Sequence, residues 1–103
     1  MKEQIIQKQI LDYLRLQGFF AWKNNNQGIY DEARNCWRTI ETKGIADITA
    51  VRNGVVLFCE VKTDIGIQSE SQKQFEESLK DHGGIYVLAR SLDDIIKWLE
   101  SLI

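Results

Sequence analysis

The chain has no proline, only two cysteines, one histidine and one methionine in 103 residues. Without proline there is no obligatory break, which fits a chain made mostly of regular elements. Cys36 and Cys59 do not make a disulfide framework, and neither sits in a metal-ligand pair. Free thiols, no visible signal peptide and no apolar run of bilayer length lead us to expect a cytoplasmic protein with no membrane partner. Charge of neither sign dominates: 13 Lys and Arg against 15 Asp and Glu give a net charge of -2. That balance argues against a protein that coats nucleic acid nonspecifically. It leaves room for a local basic groove beside a carboxylate site neutralised by metal. The hydrophobic share is 44%, enough for one core, and no linker, repeat or low-complexity stretch interrupts it. Residues 1–103 are therefore expected to form a single domain.

Residues 3–17 carry Ile6, Ile10, Tyr13 and Leu14 on one helical stripe, and Gly18 ends the pattern. Phe19 to Lys23 is an aromatic-rich strand. From Asn24 to Lys43 the periodicity fails, apart from a short strand expected within Cys36 to Ile40. Strands over 45–52 and 55–62 follow. Ser69-Glu-Ser-Gln72 opens a helix with Phe75 and Leu79 inside, and Gly83-Gly84 closes it. Ile85 to Leu88 is a short buried strand. The last helix starts at Ser91 with Asp94 at the capping-box position, burying Leu92, Ile95, Ile96, Leu99 and Leu102. A strand-helix-strand unit after Glu60 implies a crossover, and hence a mixed sheet with helices on its faces. Trp22, Trp98 and Cys59 are assigned to the core, and His82 to a helix carboxyl end.

Asn53-Gly54 between two apolar runs is a strong signal for a two-residue hairpin turn. That register sets Asp47 opposite Glu60, and Lys62 emerges on the same side as Glu60 because side chains alternate along a strand. Two carboxylates facing each other weaken a sheet. A divalent cation is the simplest way to offset that repulsion. Taken singly, Asp47 reads as a solvated strand start and Glu60 as an edge charge paired with Lys62. Together on one apolar hairpin face they point to a shared site.

Lys43-Gly44-x-x-Asp47, Glu60-Val61-Lys62 and Gly66-x-x-Ser69-x-x-Gln72, in that order and preceded by a helix opening at Glu3, resemble the PD-(D/E)xK nuclease superfamily. Within it the likeness is to the virus-type replication-repair nuclease (VRR-NUC) domain, and it extends over nearly the whole chain. Ala46 stands where a proline usually precedes the aspartate. The resemblance implies an α/β fold with a restriction-endonuclease-like core, a mixed β-sheet with a central hairpin flanked by helices. It also implies a Mg- or Mn-dependent DNA endonuclease of phage or bacterial kind, cutting branched DNA such as Holliday junctions. Symmetric cutting by one active site per chain calls for a homodimer. The alternative is a module that binds branched nucleic acid without cutting, or a subunit of a replication or repair assembly.

Magnesium suits hard oxygen ligands, one or two carboxylates with retained waters. Asp47 and Glu60 meet that description, and the resemblance adds the Val61 carbonyl. Lys62 would orient the attacking water or stabilise charge on the phosphate. Gln72 has two readings of equal weight: partner of Ser69 in a capping box, or an active-site amide as in the family. Glu3 shares the stripe of Ile6 and Ile10; it either contacts the ion's hydration shell or a second ion, or is a first-turn acid at the helix dipole. Lys23, Asn24, Asn26, Gln27, Arg34, Arg38 and Lys43 are candidates for nucleic-acid contact, and Ser69, from the family's segment after the lysine, joins them. Tyr30 and Trp37 are candidates for stacking on bases, with core packing the stronger reading for Trp37.

Overall fold

In the computed structural model, residues 1–24, 29–38 and 42–102 are described, with backbone alone for residues 29, 37 and 38. Helix α1 (Glu3–Leu16) buries Ile6, Gln7, Ile10 and Leu14, one stripe at the i, i+4 spacing that a 3.6-residue period requires. Strand β1 (Phe20–Lys23) follows. Strands β2 (Ile29–Asp31) and β3 (Cys36–Arg38) form a separate antiparallel ribbon. β4 (Ile48–Arg52) and β5 (Val55–Val61) make the expected hairpin. Asn53 and Gly54, at φ 51° and 80°, form its two-residue turn, and left-handed φ at both positions is what a type I′ turn demands.

The chain continues through α2 (Glu70–Asp81), β6 (Ile85–Ala89) and α3 (Leu92–Glu100). The main sheet runs β1-β4-β5-β6, antiparallel except for the parallel β5–β6 pair. It is a mixed sheet with helices on both faces. One face carries Ala21, Ile48, Ala50, Leu57, Cys59 and Val61 into a core shared with Ile6, Ile10 and Leu14 of α1 and Ile95 and Leu99 of α3. On the other face α2 lays Phe75 between Phe58 and Tyr86, with ring centroids 5.5 and 6.3 Å apart.

Several expectations need correction. β2 was not expected, because its sequence shows no alternation. Local turn chemistry makes the ribbon instead: Asp31 Oδ1 accepts the N–H groups of Ala33 and Arg34, and Asn35 adopts φ 52°. Asp94 does not close a capping box with Ser91. Its Oδ2 accepts the Arg90 N–H at 2.8 Å, and the Ser91 side chain makes no capping bond. Leu102, expected inside, is half exposed beyond the end of α3. Trp22 is not a core residue. Ala21 points into the core, so Trp22 and Phe20 share the opposite face, where they are 37% and 73% exposed. Trp98 does pack against the core, beside Phe19.

Candidate active site on the hairpin

The register continues one step beyond β4 and β5. Ile48 pairs with Cys59, so Asp47 falls opposite Glu60. Asp47 Oδ2 accepts the Val61 N–H at 2.8 Å, which fastens the carboxylate across the hairpin, and the Val61 side chain is buried in the core. Both acids are buried: Asp47 is 7% exposed and Glu60 not at all. Two carboxyl groups buried side by side repel when both are ionised, so one of them favours the protonated form.

Glu60 is that one. Burial comes first, then the adjoining Asp47 carboxylate; they push its carboxyl from 4.5 up to about 9, against the opposing pull of Lys62, while Glu3 adds a smaller push. Glu3 and Lys62 therefore both act electrostatically on the pair. Glu3 is the first residue of α1, and Lys62 is half-buried, its N–H donating to Ala89 O at 3.0 Å. The same field reaches the neighbours. Burial, then Asp47 and Glu60, raises the Cys59 thiol, and burial, then Glu60, raises the Tyr86 phenol.

Gln72 closes the capping box and also reaches Glu60. Its Oε1 accepts the Ser69 N–H at 2.8 Å, and the Gln72 N–H donates to Ser69 Oγ at 3.2 Å, completing the capping box of α2. With the amide oxygen so engaged, its Nε2 faces the sheet and donates to Glu60 Oε1 at 3.2 Å. A single amide thus ties the helix start to the carboxylate pair. Glu60 Oε2, by contrast, is buried with no donor among the described residues.

Two neighbouring loops hold this arrangement. Asn24 is engaged in the scaffold: its Nδ2 donates to Ala46 O and Thr49 Oγ1, at 2.9 and 2.7 Å, and its N–H donates to Asp47 O at 2.8 Å. Arg90 Nη1 donates to Thr63 O and Gly66 O, at 2.6 and 2.9 Å, closing the turn that follows Lys62. Gly44, at φ 74°, lies so close to the first turn of α2 that a Cβ there would sit 2.1 Å from Ser71 O. Its side-chain-free approach lets the loop leading to Asp47 touch the helix that carries Gln72. The tie through Asn24 and the grip of Arg90 had no signal in the sequence. The Gly44 contact was marked only by the position of a glycine three residues before Asp47.

The remaining candidates are not gathered at this pair. Lys23 lies in line with Ala21, on the α1 side of the sheet, in a groove with Gln4, Gln7 and Lys8. Arg34 is exposed beyond β2, its Nε 3.8 Å from Asp31 Oδ2. Lys43 is exposed in the loop before Asp47. Tyr30 is 43% exposed and bonds Asn35. Asn26, Gln27 and the side chains of Arg38 and Trp37 lie outside the described residues. His82 Nδ1 lies 2.7 Å from Ser78 O at the carboxyl end of α2, where a dipole partner is expected.

Among the described residues no group of three or more His, Cys, Asp and Glu side chains is gathered as a ligand cluster. Two facing carboxylates with an orphaned buried oxygen nevertheless fit a hard divalent cation, which takes one or two carboxylates and keeps its waters. They do not fit a closed zinc site, which needs four nitrogen or sulfur ligands.

No family model and no curated protein matches the sequence. Among solved structures that match, one described as a VRR_NUC domain superposes with a TM-score of 0.72 at 20% identity, covering 95% of this chain and 94% of that one. The chain has the fold of a VRR_NUC domain. No helix among the described residues is long and apolar enough to cross a membrane.

Proposed function

We propose, proceeding from the VRR_NUC fold and the carboxylate pair on its hairpin, that the protein is a metal-dependent DNA endonuclease. The observation that carries this reading is the burial of Asp47 against Glu60 with Oε2 left unsatisfied. A fold that needed only stability would not bury two facing carboxyl groups there, since ionising both without a cation is strongly unfavourable. Asp47, Glu60 and the carbonyl of Val61 would hold Mg or Mn. When bound, such an ion lowers the pKa of water and neutralises charge on a phosphate.

The chain's own groups then have defined tasks. Gln72 holds Glu60 by one oxygen, and the other, without a protein donor among the described residues, would be available to such an ion. Lys62 supplies the fixed positive charge that orients the attacking water and stabilises charge developing on the phosphate oxygens. Glu3 adds negative charge at the rim, favouring a second cation or a wider hydration shell. Branched DNA is the proposed substrate, and two copies of the chain are proposed to act together, because one such site breaks one strand. Sedimentation at the monomer mass at working concentration would remove the dimer from this reading.

The decisive experiment incubates the protein with a labelled four-way junction, a flap and a plain duplex, with Mg, Mn or EDTA. Cleavage that needs the ion is expected. Asp47→Asn, Glu60→Gln and Lys62→Ala should each lower it by at least about 100-fold, with circular dichroism unchanged. Normal turnover by a clean Asp47→Asn protein would refute the assignment. Retardation of the junction without products at any metal concentration would favour a binding module.

A further inference from the structure

Phe20 and Trp22 stand side by side on the edge strand β1, ring centroids 5.0 Å apart and tilted by 50°. They lie on the α2 side of the sheet, yet α2 covers only the β5 and β6 half of that side, through Phe58 and Tyr86. Among the described residues no helix covers the outer end of β1, where Phe20 and Trp22 stay exposed, and Val51 and Val56 extend that strip across the paired register. Phe20 and Val56 are 73% and 41% exposed. Such a contiguous apolar face adds little to folding, and large exposed apolar patches mark contact surfaces.

Two observations tie this surface to the carboxylate pair. The first is a direct link: Trp22 Nε1 donates to Asn24 Oδ1 at 3.1 Å, and the Asn24 N–H holds Asp47 O. The indole is therefore pinned by its only polar atom, and the side chain stays 37% exposed. The second is register. Trp22 pairs with Thr49, two residues along β4 from Asp47. Strand rise and spacing put the Trp22 and Asp47 backbones about 8 Å apart, within the reach of one nucleotide. Phe20, Trp22, Val51 and Val56 carry no charge, so the surface suits what hangs from a phosphate and not the phosphate itself.

We infer that Phe20 and Trp22 form a shelf on which an unpaired nucleobase stacks while the adjoining phosphate sits at Asp47 and Glu60. This rests on the nuclease reading and names the feature of the substrate it selects. A paired base within a duplex has both faces covered by its neighbours, whereas a flap, gap or branch leaves a face open to aromatic side chains.

The test measures binding of fluorescein-labelled single-stranded oligonucleotide, flap and blunt duplex to the full chain in calcium, with thermal melts of every variant. Trp22→Ala and Phe20→Ala should weaken single-strand and flap binding about tenfold and leave duplex binding unchanged, and Trp22→Phe should restore most of the loss. Equal losses on duplex, or no loss on any DNA, would overturn the shelf. So would a dimer that Phe20→Ala converts to monomers, because a second copy would then cover this face. A wild-type protein that binds through Trp22 but cuts nothing with Mg or Mn keeps the shelf and removes the nuclease reading. A cutting enzyme indifferent to both aromatics does the reverse.

Discussion

Glu60 sits where an ionised carboxylate is least comfortable, and pH reports the discomfort. Its carboxyl titrates at 4.5 without the fold and at about 9 within it. Between those values the folded state binds more protons than the unfolded one, so stability falls as pH rises. The contribution is fully present below about 4.5 and lost through about 9. In EDTA the thermal midpoint should therefore decline from about pH 5 to pH 9, and Glu60→Gln, a neutral near-isostere, should flatten that slope. A midpoint that climbs over this range would contradict the assignment. Opposition of Asp47 and Glu60 was legible because a two-residue turn fixes every pair outward from it. What the sequence could not supply was Gln72 acting twice, since an amide's two ends are assigned only when both partners have positions.

Among the described residues, two of the four left-handed glycines, Gly54 and Gly44, separate backbone strain from contact. At Gly54, φ 80°, an added Cβ meets nothing within 4 Å, so Gly54→Ala should lose about 1 kcal/mol from strain alone. Gly44→Ala carries similar strain at φ 74° and also drives a methyl to 2.1 Å from Ser71 O. That adds a collision with helix backbone, and a loss of about 3 kcal/mol or more is expected. Urea denaturation of both variants checks the difference; equal losses would mean the loop yields freely. Elements with strong periodicity or a signal turn, such as α1 and the β4–β5 hairpin, could be read from residues alone. β2 could not, because side-chain bonds from Asp31 override a sequence with no strand pattern. Trp22 was misplaced for a different reason: aromatic content says strand, but the buried parity is set by Ala21, the smaller neighbour.

For the molecule as a unit, the proposed metal site would link ion uptake to folding through the carboxylate pair. A cation that binds only the native state at a hundred times its dissociation constant adds about 2.7 kcal/mol of stability. Magnesium should therefore raise the thermal midpoint of wild type and leave Glu60→Gln unmoved. Uptake should also release a proton below about pH 9, visible as buffer-dependent heat in calorimetry. No ion-dependent shift, with DNA present as well, would count against the site. The architecture was legible from the order of elements, since the segment after Glu60 required a crossover. The exposed outer end of β1 was not, because exposure depends on where α2 stops.

That crossover also sets a chronology. The acids meet through a tight local turn, whereas Gln72 arrives only when α2 has docked on the sheet face over β5 and β6. On the ribosome, the hairpin is released before the later helix exists. The two acids can therefore be brought opposite each other before the amide that later holds Glu60 is in place.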